Sequence, residues 1–202
     1  MNGLAPTMKA ESRQQVAAVV IGTSAGALEA LSTLLSPLPS TFSVPILCVV
    51  HLHPDMKSSI AECLSHKCLI RVCEAEDKEP LAGGTVYLAP PDYHLLVEEN
   101  RRLSLSNEAP EYFSRPSIDV LFESAADVYG RNLIGVILTG ANRDGARGLK
   151  AIEDAGGTAL VQLPDTAFAR EMPQSALDAC THARALTLQQ IATYLMEAVL
   201  QR

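Results

Sequence analysis

The strongest constraint in this sequence is a recurring unit: an apolar run of strand length, followed by a stretch whose apolar residues have helical spacing. VAAVVIG (Val16 to Gly22), VPILCVVHL (Val44 to Leu52) and LIGVILTG (Leu133 to Gly140) are rich in β-branched residues and lack polar–apolar alternation. A strand with one face in water alternates; one that is apolar throughout has to be covered on both faces. Helical spacing follows over about Ala25 to Leu35, with Leu28, Leu31 and Leu35 on one face and Pro37 closing it. It recurs over Met56 to Ser65, and over Asp144 to Ala155. CLIRVC (Cys68 to Cys73) and TALVQL (Thr158 to Leu163) read as two more strands, and Pro116-Ser117 opens a helix over Ile118 to Tyr129. From Met172 onward two further helical segments flank ALTL. The alternation predicts an α/β fold: a doubly wound, mostly parallel sheet with helices on both faces.

The middle of the chain breaks the rhythm. Gly83-Gly84 introduces TVYLAP, then the Pro90-Pro91-Asp92 turn, HLLVEE and RLSLS, which read as short strands joined by turns. A small antiparallel ribbon insertion is expected there. Residues 1–15 are polar and aperiodic, a tail or linker stub, which leaves 16–202 as one domain. With 48% hydrophobic residues and no Trp among the 202, the core must be mainly aliphatic. No apolar run approaches the roughly 18 residues of a membrane span, and the N-terminus lacks a signal-peptide core. Five cysteines without CxxC spacing point to reduced thiols. A cytoplasmic protein with no membrane insertion is therefore expected. The net charge of −7 speaks against a nucleic-acid partner.

In doubly wound sheets, ligands bind where the carboxyl ends of the strands open onto the following loops. After the first strand comes Gly22-Thr23-Ser24-Ala25-Gly26, a G-x-S-x-G turn that can present a serine hydroxyl above the sheet. Ser24 as a plain helix cap is the other reading. GTSAGA also has the outline of a dinucleotide fingerprint, but Ser24 replaces the middle glycine and the second strand ends in His51 instead of an acidic residue. His51 and His53 share a strand face and admit a metal reading, yet no further cluster completes a site. The third strand end, TGANRDG, carries Asp144. Read alone, Asp144 is the N-cap of the helix that follows it, and on that reading its replacement by Asn costs well under ~1 kcal/mol. Together, the three ends supply a nucleophile, a base and a carboxylate, the roles of a serine triad.

The chain resembles the catalytic domain of the chemotaxis protein-glutamate methylesterases, the CheB family, over about Val16 to Thr193. The resemblance is carried by VVIGTSAGALEAL, VVHLHPDM, GGTVYLAPPDYHLLV, SRPSIDVLFESAA, GVILTGANRDGARGL and, more loosely, PDTAFAREMPQSAL. It implies Ser24 as nucleophile, His51 as base and Asp144 as its carboxylate partner, with no cofactor and no metal. His53 falls where the family has another residue before proline. The implied reaction is hydrolysis of glutamate methyl esters on the cytoplasmic helices of chemoreceptors, with deamidation of particular glutamines on the same helices. The family's usual N-terminal receiver domain is not expected here, because residues 1–15 are too short to hold one. The chain also departs from the family where a Gly-Gly pair becomes Gly26-Ala27, where T-G-M-G becomes Thr139-Gly140-Ala141-Asn142, and where Glu171 precedes Met-Pro. A related serine esterase or amidase with another substrate, and a non-catalytic signalling module of the same fold, are the alternatives.

Overall fold

A computed structural model describes residues 15–51, 60–111 and 114–200. Seven strands form one sheet: β1 (Ala18–Thr23), β2 (Ile46–Val50), β3 (Arg71–Glu74), β4 (Thr85–Leu88), β7 (Leu133–Ile137), β8 (Thr158–Gln162) and β9 (Arg184–Leu186). Their order is β3-β4-β2-β1-β7-β8-β9, and every neighbouring pair is parallel. β5 (His94–Val97) and β6 (Leu103–Ser106) make the separate antiparallel ribbon. The doubly wound fold is as expected.

The strand period of two explains why the apolar runs are continuous. Val19 and Ile21 point into a core shared with Leu31, Leu34 and Leu35 of α1 (Ala27–Leu35). Leu64 of α2 (Ile60–Ser65) and Ile191, Leu195 and Val199 of α6 (Leu188–Leu200) complete that layer. Ala18 and Val20 point the other way, against Leu121, Phe122 and Ala125 of α3 (Ile118–Tyr129). Leu149 and Ile152 of α4 (Ala146–Asp154) and Met172 and Ala176 of α5 (Glu171–Ala179) cover the rest of that face. With both faces covered, each central strand is buried end to end.

Three expectations need correction. TVYL is β4, inserted between β3 and β2 in the main sheet, so the ribbon is only β5 and β6. ALTL is not a simple break between helices: its first two residues, with Arg184 before them, form an edge strand, β9. At three residues, with Arg184 and Ala185 exposed, it carries too little periodicity to be read locally. Leu28 is not in the core; it is 38% exposed, beside the turn that carries Ser24. His53, the start of the helix expected over Met56 to Ser65, and all but the last residue of the 1–15 tail lie outside the described residues.

Candidate active site

β2, β1 and β7 are adjacent at the centre of the sheet, and Ser24, His51 and Asp144 follow their three carboxyl ends. Thr23 pairs with Val50, and the His51 N–H donates to the Thr23 carbonyl (3.1 Å), so Ser24 and His51 leave the sheet side by side. The serine turn is tied down from the next strand. Both the Ser24 N–H and the Thr23 hydroxyl donate to the Thr139 carbonyl, at 2.9 Å each, and the Thr139 hydroxyl donates to the Ala25 carbonyl (2.8 Å). Gly26 then opens α1 at φ +83°, a left-handed conformation that glycine adopts without steric cost. A Cβ there would also lie 2.7 Å from the Phe168 Cβ. The second glycine of G-x-S-x-G is thus demanded twice, by backbone and by packing.

The His51 Nε2 lies 2.8 Å from Asp144 Oδ2, with the imidazole 10% exposed and the carboxylate fully buried. Asp144 does not cap α4. Its carboxylate instead receives the head of α3: the Ile118 N–H donates to Oδ2 (2.7 Å), while the Asp119 N–H and the Ser117 hydroxyl donate to Oδ1, at 3.0 Å each. The arrangement is reciprocal. Asp119, in the first turn of α3, accepts the Gly145 (3.0 Å) and Gly148 (2.7 Å) N–H groups at the head of α4. Each helix is capped by the carboxylate adjoining the other. The close approach depends on glycine, since a Cβ on Gly22 or Gly145 would fall 2.4 or 2.6 Å from the Ile118 Cγ2.

The profile of the CheB methylesterase family matches residues 19–195. The chain belongs to that family. A Leptospira interrogans relative, provisionally named a protein-glutamate methylesterase/protein-glutamine glutaminase, is 49% identical over 175 residues, covering 87% of this chain and 91% of the relative. A protein-glutamate methylesterase/protein-glutamine glutaminase of Geobacillus kaustophilus is 37% identical over 198 residues, 96% of this chain but 57% of that protein. The crystal structure of the Thermotoga maritima CheB methylesterase catalytic domain superposes with a TM-score of 0.85 at 32% identity, covering 92% of this chain and all of that one.

In this CheB-family domain the electrostatics of the two aspartates diverge. Burial pushes the Asp144 carboxyl up, but the His51 hydrogen bond and the Ile118 and Asp119 N–H groups outweigh it and hold it below the ordinary carboxylate range. Burial dominates at Asp119 and, against the opposing Gly148 N–H and with the added charge of Asp144, pushes it up to about 6. Both side chains are about 1% exposed.

The structure brings His51 and Asp144 into contact and sets Ser24 beside His51, although no hydrogen bond joins the Ser24 hydroxyl to that imidazole among the described residues. Local reading missed the helix head that serves Asp144. Ser117 was legible as a helix start, but its hydroxyl makes no cap of its own and is turned to Asp144. Buried His94 was missed as well; its Nδ1 accepts the Ser117 N–H (3.1 Å) and its Nε2 donates to the Ala109 carbonyl (3.2 Å), which fixes the start of α3. Asn142 stood out only as a departure from T-G-M-G; its contact with the base was not legible, and its amide Nδ2 lies 3.2 Å from the His51 Nδ1. Outside the turn, Ser24, Leu28, Ile60, Lys67 and Phe168 line an open groove of about 540 Å³. Phe168 is 82% exposed at its rim. Among the described residues no three His, Cys, Asp or Glu side chains cluster as a metal site, and no helix is long and apolar enough to cross a membrane.

Proposed function

We propose that this chain is a serine hydrolase that removes methyl esters from glutamates on the cytoplasmic helices of chemoreceptors, and that it deamidates glutamines on the same helices. Ser24 is the nucleophile, His51 the base and Asp144 its orienting carboxylate. The observation that carries this reading is the 2.8 Å bond from His51 to a buried, ionised Asp144, one strand over from the Ser24 turn. A carboxylate that is fully buried and still held below its ordinary range is suited to stabilising an imidazolium.

The Ser24 hydroxyl attacks the ester carbonyl while its proton passes to His51. The tetrahedral oxyanion forms beside the head of α1, where backbone N–H groups and the positive end of the helix favour negative charge. Methanol leaves with the proton from His51. Water then repeats the sequence on the acyl-enzyme, leaving glutamate; with a glutamine substrate, ammonia leaves in place of methanol. The groove beside Ser24, with Leu28 and Phe168 on its walls, offers apolar surface to a receptor helix. The reading also places the protein in the cytoplasm, where those helices lie.

Methanol release from methylated receptor tests this directly. Ser24→Ala is expected to abolish release with little change in stability, because α1 takes no side-chain cap and opens at Gly26. A Ser24→Ala protein that still turned over methylated receptor would remove Ser24 from the mechanism.

A further inference from the structure

Asn142 stands where the family's T-G-M-G segment has glycine, and it contacts both members of the His51–Asp144 pair. Its Oδ1 accepts the backbone N–H of Asp144 (3.1 Å), which orients the amide so that Nδ2 faces the imidazole. Nδ2 is 3.2 Å from the His51 Nδ1. On the other side of the ring, Nε2 meets the Asp144 carboxylate, which only accepts, so Nε2 carries the hydrogen. The Asn142 Nδ2 can only donate, so in this contact Nδ1 holds the lone pair and accepts from it.

This matters for the hydrolase reading, on which the following rests. With Nε2 committed to Asp144, Nδ1 is the one ring nitrogen left to take the Ser24 proton. We propose that Asn142 is a positioning residue that holds His51 in its neutral, Nε2–H tautomer and covers the Nδ1 lone pair between turnovers. A ring protonated at Nδ1 has no lone pair there and turns an N–H against the Asn142 N–H. The contact must open when the Ser24 proton moves to Nδ1, and it re-forms once that proton has left on methanol. Asn142 thus acts as a brake on the base, one that glycine at this position lacks.

The test uses two variants of the whole chain with ring-¹⁵N histidine, and His51→Gln to assign the His51 signals. Asn142→Gly removes the donor while the Asp144 bond still holds the ring. Asn142→Asp is nearly isosteric and keeps an acceptor for the Asp144 N–H, but offers the ring an acceptor instead of a donor. At neutral pH the parent should show a hydrogen-bonded bare Nδ1 and a protonated Nε2. In Asn142→Gly the Nδ1 signal should shift toward that of a bare nitrogen without a donor. Fluorophosphonate labelling of Ser24 should quicken about three- to tenfold, the scale of one net hydrogen bond. In Asn142→Asp both ring nitrogens should carry hydrogen, and labelling should fall below the parent's.

Unchanged His51 ring signals in both variants would overturn the proposal while leaving the hydrolase reading intact. A change in melting temperature without a change in ring signals would count equally against it, since that is what a purely structural turn residue predicts. Failure of the probe to label Ser24 in any variant would overturn the hydrolase reading instead, and the ring signals would still decide the hold of Asn142 on the tautomer.

Discussion

Asp144→Asn should cost far more than its removal from an ordinary helix cap. The carboxylate accepts from four donors, two at each oxygen: the His51 Nε2 and Ile118 N–H at Oδ2, the Ser117 hydroxyl and Asp119 N–H at Oδ1. Asparagine turns an NH₂ toward one of these pairs. The cheaper placement is at Oδ1, because the Ser117 hydroxyl can rotate to accept, yet the Asp119 N–H is then left buried without an acceptor. An orphaned buried donor costs about 1–3 kcal/mol. Losing the anion at the head of α3 adds about 0.3–1 kcal/mol and weakens the bonds that remain. The sum is a loss of about 1–4 kcal/mol, against well under ~1 kcal/mol for an exposed cap. Urea unfolding at neutral pH measures it, as a lower midpoint with an unchanged m-value. The same variant should retain only a small fraction of the esterase rate, on the order of 10⁻⁴ where an analogous carboxylate has been replaced by its amide. Stability within about half a kcal/mol of the parent would refute the reasoning, because the donors at the head of α3 would then not depend on the carboxylate. Acid should mimic the substitution. The Asp144 carboxyl is held below its ordinary range, so its contribution is complete above about pH 4 and is lost as pH falls through the folded value.

His51 and His53 should be unequal: His51→Ala is expected to lower the rate by several orders of magnitude and His53→Ala to leave most of it, and comparable losses in methanol release would argue against His51 as the base. Asp119 should set a pH dependence of opposite sign to that of Asp144. Its carboxyl is raised from 3.8 to about 6, so its stabilising contribution is complete below about pH 4 and is lost as pH rises through 6. Two units correspond to about 3 kcal/mol. Asp119→Asn keeps one oxygen for the Gly145 and Gly148 N–H groups and should flatten the stability profile between pH 4.5 and 7.5. A variant as steep as the parent in urea titrations over that range would assign the slope to another group.

Much of this architecture could be read locally, because parallel strands covered on both faces advertise themselves. Val16 to Gly22 ran into Ser24, and the α3 boundaries Ile118 and Tyr129 were legible from Pro116-Ser117 and the apolar spacing. The three residues at the strand ends were identified by their chemistry and by the resemblance, and two of them meet at 2.8 Å. What stayed hidden depends on which segments meet across the fold. TVYL looks alike in a ribbon and in a sheet until its neighbours Ile46 and Arg71 are known. Asp144 precedes α4 in sequence, so local rules hand it to α4, but the glycines at 22 and 145 let the Ile118 side chain seat so closely that the head of α3 claims it. Asn142 likewise faces a ring on the end of another strand, 91 positions away.

The exchanged caps also bear on how the domain opens and closes. Neither α3 nor α4 satisfies its first amides with its own side chains. Fraying of either helix strips the other of its anion, so the two should breathe as one cooperative unit, not as independent turns. The amides of Ile118, Asp119, Gly145 and Gly148 would then share a single opening free energy, visible as matched hydrogen-exchange protection. Because the carboxylate that orients His51 belongs to that unit, a domain caught with either helix loosened is also a domain without its base in register. Folding and the competence of the site are in this respect one event.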